Sequence, residues 1–173
     1  MKRKKNLLFS ADLKRKIFLK RREISLALLF VLFLFYFFSG KKNLSKCPFG
    51  SEVLVTKVID GDTVIIEGGY TVRLLGIDTD ERGYPCYESA KEKLESLVLN
   101  RKVKLEKENE EVDRYGRCLG YLFLGNTNLN LKMVQDGEAI CRFLAPNTKY
   151  QKECQAMEKS AMKERKGCKW KTL

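Results

Sequence analysis

Three β-branched runs follow one another between residues 52 and 77 with almost nothing between them. In the first, Val53, Val55 and Lys57 alternate with Leu54, Thr56 and Val58. The second is Thr63-Val64-Ile65-Ile66, and the third covers residues 70–77. Asp60-Gly61-Asp62 separates the first two as a tight reversal, and Gly68-Gly69 separates the last two as a hairpin turn. A parallel crossover needs a dozen or more residues, so these strands form an antiparallel meander. Residues 87–100 then read as a helix with Ala90, Leu94, Leu97 and Val98 on one face. Val103 and Leu105 mark a fourth strand, and residues 118–124 a fifth that turns at Gly125-Asn126. A short helix over 129–136 stops at Gly137. A charged amphipathic helix covers 150–166, with Cys154, Met157 and Ala161 on its apolar face and Gly167 at its end. The pattern predicts an α+β chain that is mainly β barrel: a five-stranded OB-fold barrel with three helices, preceded by an N-terminal transmembrane helix.

That last element comes from uneven hydrophobicity. Residues 24–38 contain one polar side chain, Ser25, and ten Lys or Arg precede them. A core helix is amphipathic, whereas this run is apolar all round. Seventeen helical residues, 24–40, span about 25 Å, slightly short of a bilayer's hydrocarbon core. The chain therefore divides into a basic cytoplasmic tail (1–23), a transmembrane signal-anchor or signal peptide (24–40), a linker (41–50) and a folded domain (51–173). An uncleaved anchor fits better than a cleaved signal, because Phe38 is bulky for the −3 position of a cut after Gly40. Either way the domain lies on the extracytoplasmic side of a membrane or is secreted. The net charge of +12 resides mostly in the tail. Residues 41–173 carry 24 basic and 20 acidic groups, so charge alone is a weak nucleic-acid signal.

All six cysteines follow the apolar run: Cys47, Cys86, Cys118, Cys141, Cys154 and Cys168. An even count on one side suits up to three disulfides in an oxidising compartment. Buried free thiols are the alternative, and fifteen pairings are open. With no histidine and no Cys-x-x-Cys, zinc is disfavoured.

Three short runs carry the chemistry. Asp62 and Asp78 each end a predicted strand, where a barrel rim brings such residues together. Two carboxylates suit a hard cation such as Ca²⁺ or Mg²⁺, although Asp beside Gly is more often simply a turn. Arg73 alternates with Val72 and Leu74, so it faces the opposite way, and a guanidinium grips phosphate in a bidentate manner. Glu81 sits in a loop where a carboxylate near a metal can hold an attacking water. Arg117 follows Tyr115-Gly116, a turn able to aim it. Taken singly, each of these is a surface charge.

Taken in order, the runs Ile59-Asp60-Gly61-Asp62-Thr63, residues 73–81 and Asp113-Arg114-Tyr115-Gly116-Arg117 resemble the staphylococcal nuclease (thermonuclease) family. Glu88-Ser89-Ala90, Leu129-Asn130, Gly137-Glu138-Ala139 and the Gly167 to Trp170 region add to the resemblance. It implies a calcium-dependent endonuclease that cleaves DNA, RNA or both with little sequence preference and leaves 3′-phosphate ends. It also implies roles. Asp62, Asp78 and the Thr79 carbonyl would hold Ca²⁺, Arg73 and Arg117 would grip the scissile phosphate, Glu81 would act on the attacking water, and Tyr115 would lie near the nucleotide. A monomer is expected. The alternative is a catalytically weak nucleic-acid-binding module of the same fold at the membrane. Three departures stand out. Asp80 replaces the family's proline, which should loosen the loop carrying Glu81. Phe143 falls where the family has a nucleotide-contacting tyrosine. The cysteines are an addition.

Overall fold

A computed structural model describes residues 47–171. The expected tail and membrane segment, and the linker up to residue 46, lie outside the described residues. Among those described, no helix is long and apolar enough to cross a membrane.

Strands β1 (Glu52–Val58), β2 (Thr63–Ile66) and β3 (Thr71–Leu74) form the expected antiparallel meander. β5 (Lys102–Glu106) pairs with β1, and β6 (Cys118–Leu124) pairs with β5. β6 also runs parallel to β3, with Arg73 opposite Leu119, and this pairing closes a five-stranded barrel. The expected α+β barrel is therefore present. A short β7 (Thr127–Asn128) extends β6 as a hairpin.

The third strand differs from expectation. It stops at Leu74, and Ile77–Asp78 forms β4, which pairs instead with β8 (Ile140–Cys141). Gly76 causes the break. Its φ is +76°, and a Cβ there would lie 2.4 Å from the Phe143 ring. The ring occupies the space that a side chain would need, and the chain swings Asp78 out of the barrel wall to its end.

Helix α1 (Tyr87–Val98) buries Tyr87, Ala90, Leu94 and Val98, close to the expected face. Ala90, Leu94 and Val98 join the barrel's Val, Ile and Leu residues in one apolar core. Helix α2 (Leu129–Gln135) begins at Asn128, whose side chain accepts a hydrogen bond from the Leu131 amide. Inside α2, buried Asn130 donates to Leu75 and Gly120 carbonyls and accepts from the Leu122 amide, stitching the helix to β6. Helix α3 (Gln151–Lys163) ends three residues before the expected 166. Arg165 takes φ +51°, and a separate turn, α4 (Gly167–Trp170), follows.

The cysteines form three disulfides, Cys47–Cys118, Cys86–Cys168 and Cys141–Cys154, and none of the six is free. Their sequence separations are 71, 82 and 13 residues. A longer loop restricts the unfolded chain more, so the first two should stabilise by about 4–5 kcal/mol and the third by about 3 kcal/mol. The double variant Cys86→Ala/Cys168→Ala should therefore lose more stability than Cys141→Ala/Cys154→Ala, as read by urea unfolding without reductant.

Candidate active site

The site lies at one end of the barrel in a cleft of about 780 Å³. Four structural devices deliver its residues. The β1–β2 turn carries Asp60 and Asp62, β3 and β4 carry Arg73 and Asp78, the turn before β6 carries Tyr115 and Arg117, and the loop after β4 carries Glu81. All line the cleft, whereas Thr79 sits behind it and is buried.

The β1–β2 turn is held by its own side chains. The Asp60 carboxylate accepts from the Asp62 amide at 3.0 Å. Gly61 is required here for closeness rather than for an unusual backbone angle. A Cβ would meet Ala90 Cβ of α1 at 2.6 Å and Thr79 Cγ2 at 2.8 Å. Asp62 is thus pressed against the helix and the Thr79 segment. Its Oδ2 accepts from the Thr79 amide at 3.0 Å and the Thr79 hydroxyl at 3.1 Å, and its Oδ1 accepts from the Thr63 hydroxyl at 3.1 Å.

Arg73 binds this corner together. One of its Nη atoms donates to the Leu74 and Ile77 carbonyls at 2.8 and 3.0 Å. The other lies 3.1 Å from both Asp62 Oδ2 and Asp78 Oδ1. The sequence-derived trio of Asp62, Arg73 and Asp78 is therefore one contiguous cluster. Burial pushes the Asp62 carboxyl up to about 6. Arg73 opposes this, the neighbouring Asp60 adds to it, and the hydrogen bonds from Thr79 and Thr63 offset part of it. A buried acid held above its ordinary value marks a place where more positive charge is accommodated.

Could these residues hold a hard cation? Among the described residues no three Cys, Asp or Glu side chains converge to cage a metal. Asp62 and Asp78 do converge, on a single guanidinium and at the wall of an open cleft. Two hard oxygen donors beside open water fit a cation that keeps much of its hydration, as Ca²⁺ and Mg²⁺ do.

The turn before β6 repeats the logic. Asp113 Oδ1 accepts from the Tyr115 and Arg117 amides, both at 2.9 Å, and its Oδ2 accepts from Arg117 Nε at 2.7 Å. Burial raises the Asp113 carboxyl, but the hydrogen bonds from Arg117 and Tyr115 outweigh this and hold it below the ordinary range. Asp113 thus aims Arg117, and Gly116 closes the turn at φ +80°. Tyr115 stands 69% exposed with the Arg114 and Arg117 guanidiniums 4.8 and 5.5 Å from its ring centre. Glu81 is exposed, and its loop is closed by the Tyr84 amide donating to the Glu81 carbonyl at 3.0 Å.

Two sequence readings need correction. Asp80 does not loosen the Glu81 loop. Its carboxylate turns away from the cleft, accepts from the Cys86 amide at 3.0 Å and pairs with Lys169. Burial raises this carboxyl, yet the Lys169 and Cys86 contacts win and lower it. The Cys86–Cys168 disulfide joins the same two segments. Phe143, in turn, packs inward on Gly76, and its neighbours Arg142 and Leu144 line the cleft. The alternation of an extended segment separates them. Asp60, Asp113 and Arg142 are the residues that sequence reasoning left without a role. Asp113, three residues before Gly116, carries a legible turn signal.

Residues 71–172 match the family described as staphylococcal nuclease homologue. The thermonuclease of Staphylococcus intermedius is 35% identical over 150 residues, covering 80% of this chain and 89% of that protein. The thermonuclease of Staphylococcus hyicus is 36% identical over 121 residues, covering 65% and 72%. The micrococcal nuclease of Shigella flexneri is 36% identical over 97 residues, covering 49% and 55%.

Two outcomes follow from the local geometry. With Asp62 raised from 3.8 to about 6, the folded chain holds a proton that the unfolded chain has released over that interval. Stability in chelator should therefore fall as pH rises from about 4 to above 6. Asp62→Asn, which cannot titrate, should flatten this dependence in urea unfolding across the same pH range. Asp80→Ala should lose about 1–3 kcal/mol in the same assay. An aspartate that merely loosened a loop would give no loss.

Proposed function

We propose that this chain, which belongs to the staphylococcal nuclease family, is an endonuclease hydrolysing phosphodiester bonds of DNA, RNA or both with little sequence preference. The observation that carries the reading is that the paired carboxylates Asp62 and Asp78 line the same cleft as Arg117 and Glu81. Asp62, Asp78 and the Thr79 carbonyl are the residues that would hold calcium, which supplies Lewis-acid charge to a phosphate oxygen when bound.

The chain's own groups do the rest. Glu81 is the exposed carboxylate on the cleft wall and is assigned to orient, and take a proton from, the attacking water. Arg117, fixed through Nε by Asp113 and lining the cleft, offsets charge on the equatorial oxygens as it builds. Arg73 is the second phosphate arginine, and the carboxylates that now share it must loosen their hold before it can serve. Tyr115 offers an exposed ring to a base, a sequence-tolerant contact.

The domain is assigned to the far side of a membrane, anchored through residues 24–40 or released, and acts as a monomer. Three disulfides support an oxidising compartment. The basic tail ahead of the apolar run supports the orientation.

Purified full-length chain should degrade single- and double-stranded DNA with Ca²⁺ and stop on chelation. Arg73→Ala, Glu81→Gln and Arg117→Ala should each lower kcat by about 10²- to 10⁴-fold, with circular dichroism unchanged. Binding without cleavage by the wild-type chain would select a nucleic-acid-binding module instead. Wild-type rates in all three variants would overturn the site.

A further inference from the structure

Counting the hydrogen-bond donors of the cleft arginines separates them into two kinds. A guanidinium carries five N–H groups. Among the described residues, Arg73 directs four at the protein: two to the Leu74 and Ile77 carbonyls, and two toward Asp78 and Asp62. It has little left for a ligand. Arg117 uses one side-chain donor, on Asp113. Arg142 also uses one, its Nη1 to Asp78 Oδ2 at 3.0 Å. Its side chain is 62% exposed and lines the cleft.

Arg142 stands on a firm base. Its amide donates to the Gly76 carbonyl at 2.9 Å, and Phe143 beside it is wedged over Gly76. The preceding Cys141 is joined to Cys154 of α3 and donates its amide to Glu158. The backbone is thus fixed while the guanidinium remains open. Leu144, two residues on and on the same side, exposes an apolar surface. A free planar fork beside an apolar face fits a phosphate followed by a sugar or base better than it fits an inorganic anion.

We propose that Arg142 is a substrate-binding residue that takes a backbone phosphate of a polynucleotide, neighbouring the one held at Arg117. The assignment rests on the nuclease reading above. It also predicts that this contact forms without a cation, since among the described residues Arg142 commits only one of its five donors, to Asp78.

The test uses full-length chain in chelator and a ten-residue oligothymidylate as probe, with Kd measured across a salt series. Arg142→Ala should weaken binding about tenfold. The slope of log Kd against log salt should fall by about 0.7, one phosphate contact on a single strand. Arg142→Gln, which keeps the stem's packing, should do the same, and Arg142→Lys should restore the slope but only part of the affinity. With Ca²⁺, KM should rise while kcat changes little. Wild-type slope and affinity in both the Ala and Gln variants would overturn the Arg142 assignment and leave the nuclease reading standing. A lowered melting temperature with unchanged slope would show that Arg142 only braces Asp78, and would overturn it equally. Failure of the wild-type chain to bind or cleave any nucleic acid would overturn both readings.

Discussion

One guanidinium organises the working end of this barrel. Arg73 reaches from β3 to the Leu74 carbonyl at its own strand end, to the Ile77 carbonyl of β4, and to carboxylates of the β1–β2 turn and of β4. Its position is set by register: Arg73 pairs with Thr63 on β2 and with Leu119 on β6, the strands on either side. Val72 and Leu74 point into the core and oblige Arg73 to point the other way. The apolar core therefore determines where this charge stands, and the charge determines where Asp62 and Asp78 can stand. A partly buried cation with four oxygen partners is tolerable, and the same cation with none would cost several kcal/mol.

The price of such an arrangement is that three of the cleft's arginines are already engaged by its carboxylates. Asp62 and Asp78 are shared with Arg73, Asp78 also with Arg142, and Asp113 with Arg117. Anything that binds must compete with, or be coupled to, these pairs. A cation and a phosphate arriving together offer each member of these pairs a new partner of opposite sign. Either alone leaves one sign uncompensated, which makes the joint complex more favourable than the sum of its parts.

The barrel was legible because its signal is local. Alternating β-branched residues, the Asp-Gly and Gly-Gly turns and the 90–94–98 stripe each declare themselves within a few positions. The break in the third strand was not, since it depends on the Phe143 ring filling the space above Gly76, far along the chain. Gly61 was read as a turn glycine, but close contact with Ala90 and Thr79 is what requires it. Asp62, Arg73 and Asp78 were legible as a group because the sequence sets them within one run of short strands and turns, although Asp78 lies on β4, beyond the end of the meander. Asp80 was misread for the opposite reason. Its partners, Cys86 and Lys169, lie on two segments that the Cys86–Cys168 disulfide joins, a pairing that fifteen possible ones concealed. Arg142 carried no local signal, because the cleft it lines is assembled from segments far before it in the chain.

The Cys47–Cys118 bridge alters how the domain carries load. Cys118 opens β6, immediately after Arg117, and Cys47 precedes β1. Tension applied ahead of Cys47 passes through sulfur into β6, a strand flanked by β3 and β5. β1 is spared, and it cannot be peeled strand-first from the barrel. Pulling on the domain by its N-terminal end would therefore load the wall next to Arg117 in shear, and cleaving that one sulfur bond would turn a shear-loaded barrel into one that can be unzipped from its first strand.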